Sequence, residues 1–330
     1  TAAVHGRQDR TSPIIRDISK KSKNQNQRKE VKSMHKFLRA IGFSELTSRK
    51  ELQKIITDSI QEATVRTYTT NEEGEIMAEF RRDFANGIGI VVRGEFDDED
   101  RFIYEYYYPY LIGTGISSTE DITVERLAAQ DAYVGACDEV RVGVSLVFYL
   151  QNMIPYLKHH NEDDFPVKGT TLTLSALSTR GTIMMPIAKS KKQTLRSKKK
   201  LQARNQLISA ARKGDEAAIE SLTLDDMDIY TAISNRIYKD DVFTMVDNYF
   251  MPYGMECDQY SVLAEITECH PVKNVLTGED VWIMTLSCNE ITFDVCINQK
   301  DLMGEPEVGR RFKGNIWMQG FINYPDDTQS

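Results

Sequence analysis

The chain has 330 residues, enough for two domains that each bury a core, and its 41% hydrophobic and 27% charged content is that of a globular protein. No apolar run approaches the roughly 18–20 residues that cross a bilayer as a helix, and the first residues hold no apolar signal core, so the expected location is cytoplasmic with no membrane partner. The formal charge of −8 hides an asymmetry: residues 188–213 carry ten basic residues and no acidic one, whereas residues 214–330 sum to −15.

Residues 1–33 are polar and basic, and too poor in apolar groups to offset the entropy of ordering. Two readings stay open for them: a disordered basic tail, or a mis-assigned start with Met34 the first residue. A first body is expected over residues 34–187. Ser48 with Glu51 offers a capping box, and Leu52, Ile55, Ile56 and Ile60 share one helical face, which predicts a helix over 49–63. Residues 65–70 and 75–84 flank Asn71–Gly74 and predict a hairpin. Strands are expected at 87–94, 102–111, 139–150 and 170–186, the last folding back at Ser178–Gly181, with a helix around 124–132 between them. The fold class this implies is α+β on an antiparallel sheet.

A helical connector is expected over 188–248, basic at its start. Leu201, Leu207, Ile208 and Ala211 make a thin apolar stripe on its first helix, and Gly214 ends that helix. Residues 249–330 predict a small β domain with strands at 259–268, 279–288, 291–297, 310–318 and 320–324 and a short helical turn at 300–303. That order is shared by a closed barrel of the oligonucleotide/oligosaccharide-binding (OB) type and by other compact β topologies.

The five cysteines (137, 257, 269, 288 and 296) are odd in number and include no C-x-x-C pair, so neither a disulfide framework nor a metal site is expected. Gly87-Ile-Gly89 and Gly113-Thr-Gly115 lack a third glycine and a following helix, and no G-x-x-x-x-G-K-[ST] occurs, so no nucleotide cofactor is expected. Glu105, between aromatic neighbours, and the run Cys137–Arg141 are the candidates for catalysis; an ordinary surface carboxylate and a cluster with no positioned histidine are the competing readings. His159 and His160 fall in a polar stretch expected to face solvent. Lys198, Lys199, Lys200 and Arg204 on the connector, with Arg310, Arg311, Lys313 and Trp317 in the β domain, are the candidates for contacting nucleic acid. The surrounding acidity argues against this, and an electrostatic clasp between the connector and its own acidic neighbours is the alternative.

MHKFLRAIGF (34–43), GVSLVFYLQN (143–152), ARKGDEAAIESLTLDDMDIY (211–230), YFMPYGMECDQYSVLAEI (249–266) and GRRFKGNIWMQGFINYP (309–325) together resemble an uncharacterised family of clostridial-type Gram-positive bacteria, a domain of unknown function. The resemblance runs from Met34 to Pro325 and implies a bacterial cytoplasmic protein; it brings no activity or catalytic residue with it. The expectation is a non-enzymatic binding or adaptor protein that contacts nucleic acid through the connector, with two alternatives: an enzyme with a site near Glu105 and Cys137–Arg141, or a structural subunit of a protein complex.

Overall fold

A computed structural model describes residues 34–70, 76–97, 99–127, 132–142, 144–161, 169–187, 191–224 and 246–325. The turn at 71–74, the tail 1–33 and residues 225–245 of the expected helical connector lie outside the described residues. Contacts gather the chain into two compact units. One is formed by Ser48–Arg82 and Ile90–Tyr108; the other comprises His35–Thr47, Asp83–Gly89 and the described part of Pro109–Ser330.

In the first unit, helix α1 (Arg49–Gln61) begins where the Ser48 side chain accepts from the Glu51 amide, and it buries Leu52, Ile56 and Ser59. Strands β1 (Val65–Thr70), β2 (Ile76–Ala85), β3 (Ile88–Phe96) and β4 (Phe102–Leu111) follow in chain order across a four-stranded antiparallel sheet. The pairing of β1 with β2 sets Thr67 opposite Glu79. Glu79 is buried and receives a charge-assisted hydrogen bond from Arg93, whose guanidinium also lies 4.9 Å over the Tyr108 ring.

The described residues of the second unit form ten further strands: β5 (Ile122–Leu127), β6 (Ala132–Glu139), β7 (Val144–Leu150), β8 (Thr171–Met184), β9 (Tyr249–Pro252), β10 (Gln259–Lys273), β11 (Asp280–Cys288), β12 (Ile291–Asn298), β13 (Leu302–Met303) and β14 (Arg311–Asn323). Five of them close a ring. β10 pairs β11, β11 pairs β12 and β10 pairs β14, all antiparallel. β12 then pairs β8 in parallel, and β8 pairs β14 antiparallel to complete the barrel. Alternation fills it: Leu172, Leu174, Ala176, Val262, Ala264, Met284, Leu286, Phe293, Val295 and Ile316 belong to one buried core. The hairpin between β11 and β12 turns at Asn289 and Glu290, both at positive φ. Helix α2 (Met153–Asn161) follows β7, and helix α3 (Lys191–Arg212) lies in the insert between β8 and β9.

Four local expectations are corrected. The helix expected around 124–132 is instead the paired strands β5 and β6, with β5 running Ile122↔Cys137 to Leu127↔Ala132. The run 139–150 is broken, β6 ending at Glu139 and β7 starting at Val144. The fold-back at Ser178–Gly181 is absent, because β8 continues to Met184. Strands 310–318 and 320–324 are one strand, β14. The last two misreadings share a cause. Gly181 and Gly320 are strand glycines whose missing Cβ makes room for the rings of Phe312 and Phe148, so they mark close packing and not turns. The barrel takes its fifth strand, β8, from the 34–187 segment.

Candidate nucleic-acid interface

Helix α3 presents eight basic residues and no acidic one, and at 100° per residue they fall on every side of it. In its C-terminal half Arg204, Leu207, Ile208 and Ala211 are half-buried. Lys199 is exposed; the side chains of Lys198 and Lys200 lie outside the described residues. Near the helix end Arg212 donates to the Asp138 carbonyl at 3.3 Å. Gly214, at φ +88°, then reverses the chain, and Asp215 caps a following helical turn by accepting from the amides of Ala217 and Ala218.

The candidates on β14 have other work. Trp317 is 4% exposed, its indole Nε1–H donates to Asp258 at 2.7 Å, and its ring meets His35, Phe37 and Tyr149 at 4.9–5.2 Å between centroids. It is a core ring and not a platform for bases. Arg310 pairs with Glu307 and donates to the Glu305 carbonyl. Arg311 is 7% exposed and donates to the carbonyls of Met185 (3.1 Å), Val246 (2.8 Å) and Asp247 (3.5 Å). Three of its contacts are thus to backbone carbonyls on either side of the insert that holds α3. Lys313 is half-buried on β14 opposite Leu263 and Thr182.

A feature missed in the sequence explains why the barrel surface is closed. Residues 35–45 lie against β12, β8 and the turn before β11. Cys296 Sγ donates to the Ala40 carbonyl, Asn298 to Arg39, Asn274 to Ile41 and Thr277 to Gly42. Ser44 donates to Glu279 through both amide and hydroxyl, and Lys300 reaches Glu45 and Glu279. Burial works against the Glu279 carboxylate, yet hydrogen bonds from Ser44, Asn298 and Lys300 hold it below the usual range. Phe37, Leu38, Ala40, Ile41 and Phe43 are all 4% exposed or less. His35, half-buried against Phe37 and Trp317, is pushed down to about 4 by burial, with the Lys36 charge adding to this. Gly42 is obligatory: its φ is +94°, and a Cβ there would stand 2.8 Å from that of Asn274. Deeper along the same face Asp294 accepts from the Thr114 amide and hydroxyl and from Thr285. The only signal in the sequence was the apolar run Phe37–Phe43, which reads equally well as an ordinary core helix.

The second candidate site gathers little chemistry. Glu105 belongs to the first unit and Cys137–Arg141 to the second. Cys137 is buried and its thiol is pushed up to about 12, by burial first and then by Glu139, Glu120 and Asp138, which leaves no thiolate near neutrality. Glu139 accepts from Arg141 at 2.6 and 2.7 Å and from Ser118 at 2.7 Å. Burial opposes its ionisation, and these bonds outweigh burial to hold it below the usual range. Arg141 also donates to the carbonyls of Ser117 and Glu290. The group therefore ties β6 to two loops. An adjoining cavity of about 370 Å³ is lined by Glu120, Asp121, Thr123, Ala136, Cys137, Asp138 and Ser145. Among the described residues no group of three or more His, Cys, Asp or Glu is arranged to hold a metal ion. His159 stacks on Tyr324 at 4.0 Å. No helix among the described residues is long and apolar enough to cross a membrane.

A family model described as "Domain of unknown function, E. rectale Gene description (DUF3881)" matches residues 38–320. No curated protein matches the chain, and no solved structure does.

Proposed function

Since the chain belongs to that family, whose description assigns no activity, we propose from its geometry that it is a non-enzymatic binding protein that contacts nucleic-acid phosphates through helix α3. The observation that carries this is the helix itself. Eight cations distributed around one helix, without an acid among them, repel one another and are stabilised by an external polyanion.

The ring of strands supports assigning the contact to the helix and not to the barrel. Taken in the order β10, β11, β12, β14, β8, it reads as an OB-type barrel whose fifth strand precedes the other four in the chain. Such barrels take ligands on their second and third strands. Here the outer side of the third of these, β12, holds residues 35–45. The catalytic alternative has less support: Cys137 is a buried neutral thiol and Glu139 is committed to Arg141. The alternative of a subunit in a protein complex rests on Met251, Tyr253 and Met255, exposed in succession on and after β9.

The test is a salt series of binding to mixed DNA and RNA oligomers with the full chain. Binding is expected with a steep negative dependence on salt. Lys198→Ala/Lys199→Ala/Lys200→Ala should flatten that slope by about 2–3. No binding at low salt, or binding indifferent to salt, would refute the phosphate contact.

A further inference from the structure

Helix α3 belongs to an insert, residues 186–245, placed between the barrel strand β8, which ends at Met184, and β9, which begins at Tyr249 and pairs with the barrel strand β10. The two ends of this insert converge on a single side chain. Arg311 opens β14, opposite Met184 on β8 and Glu265 on β10. Its Nε donates to the carbonyl of Met185, the first residue past β8, and its Nη1 donates to the carbonyls of Val246 and Asp247, just before β9. These carbonyls lie beyond the ends of the strand ladders, where backbone acceptors must find other donors. A guanidinium can serve both ends because it holds five N–H donors in one rigid plane; an ammonium concentrates its donors at a point. Closing a long insert costs entropy that rises slowly with its length, so fixing the stems is the step that defines where the arm leaves the barrel.

Resting on the phosphate-binding reading above, we propose that Arg311 is the positioning residue of the basic arm: it clasps both stems of the insert to the barrel and so sets where α3 is presented to a polyanion. Arg311 is 7% exposed and its donors face the stems, so it adds no phosphate contact of its own. Its loss should therefore weaken binding without changing how many counterions binding releases.

The experiment compares the full-length protein with Arg311→Lys and Arg311→Met in two measurements. In hydrogen exchange, amides at 185–187 and 246–249 should exchange about tenfold faster in both variants, with β10, β11 and β12 unchanged. In titrations with a mixed-sequence DNA duplex, affinity should fall about 3- to 10-fold with the salt slope unaltered, and lysine should not rescue it. Unchanged stem exchange, faster exchange spread equally through the barrel, failure of both variants to fold, or unaltered affinity beside loosened stems would each overturn the proposal. Should the wild-type protein bind no DNA, the phosphate-binding reading fails, while the exchange data still decide whether Arg311 is the clasp.

Discussion

The covered face of the barrel and helix α3 treat polar groups in opposite ways. Along β12 and the turn before β11, the side chains of Asn274, Thr277, Cys296 and Asn298 each donate to a carbonyl of Arg39–Gly42, so polarity there is converted into a fixed seat for the segment. On α3 the charges come from one sign alone and surround the helix. The difference teaches where to look for a ligand. A polar surface that satisfies itself within the chain is structure, whereas like charges gathered on one element wait for a counter-charge.

The comparison can be broken most severely at Phe37, whose ring lies 5.2 Å from Trp317 within the covering segment. If that segment is an integral part of the barrel, Phe37→Ala should cost about 3–5 kcal/mol in denaturant unfolding, as for other large core deletions. A loss under about 1 kcal/mol would mean that the segment merely rests on the barrel and that its face is open to ligands.

Next in size is Arg141→Met, which strips the guanidinium from the buried Glu139 carboxylate, leaves it the Ser118 hydroxyl and the amide of residue 141, and removes the ties to Ser117 and Glu290. The expected cost is about 3 kcal/mol at neutral pH. Because the folded Glu139 sits below its ordinary range, its contribution is present above the unfolded value of about 4.3 and is lost as pH falls through the lower folded value. The wild type should lose stability below about pH 4 through this group, and the variant should lose less. Equal acid sensitivity in the two proteins would detach Glu139 from Arg141.

The smallest effect on stability belongs to the triple lysine-to-alanine change on α3, expected within about 0.5 kcal/mol of wild type because surface residues outside special features contribute little. A larger loss would identify the arm as clasped to its own acidic surroundings and return it to the structural half of the comparison.

Much of the local structure was legible. The Ser48 cap and the spacing of Leu52 and Ile56 placed α1, and alternation placed β10, β11 and β12 close to where they lie. The cationic helix was legible too, since it needs only a count. The candidate residues on β14 were not. Arg311 and Trp317 look like surface groups in a list of residues, and only their neighbours, Met185 and Val246 for one and Phe37 and Asp258 for the other, turn them inward.

By itself, then, the sequence determined helix α1, the strands β10, β11 and β12 with their inward alternation, and which helix is cationic, because these follow from spacing along one chain. The tertiary structure alone decided that β8 closes the ring, that Gly181 and Gly320 are spaces for aromatic rings, and that residues 35–45 occupy the barrel's outer face. Alternation tells a strand which side to bury and says nothing of its partner. Whether β8 or a strand closer in sequence completes the barrel is settled by the core that their side chains can jointly fill.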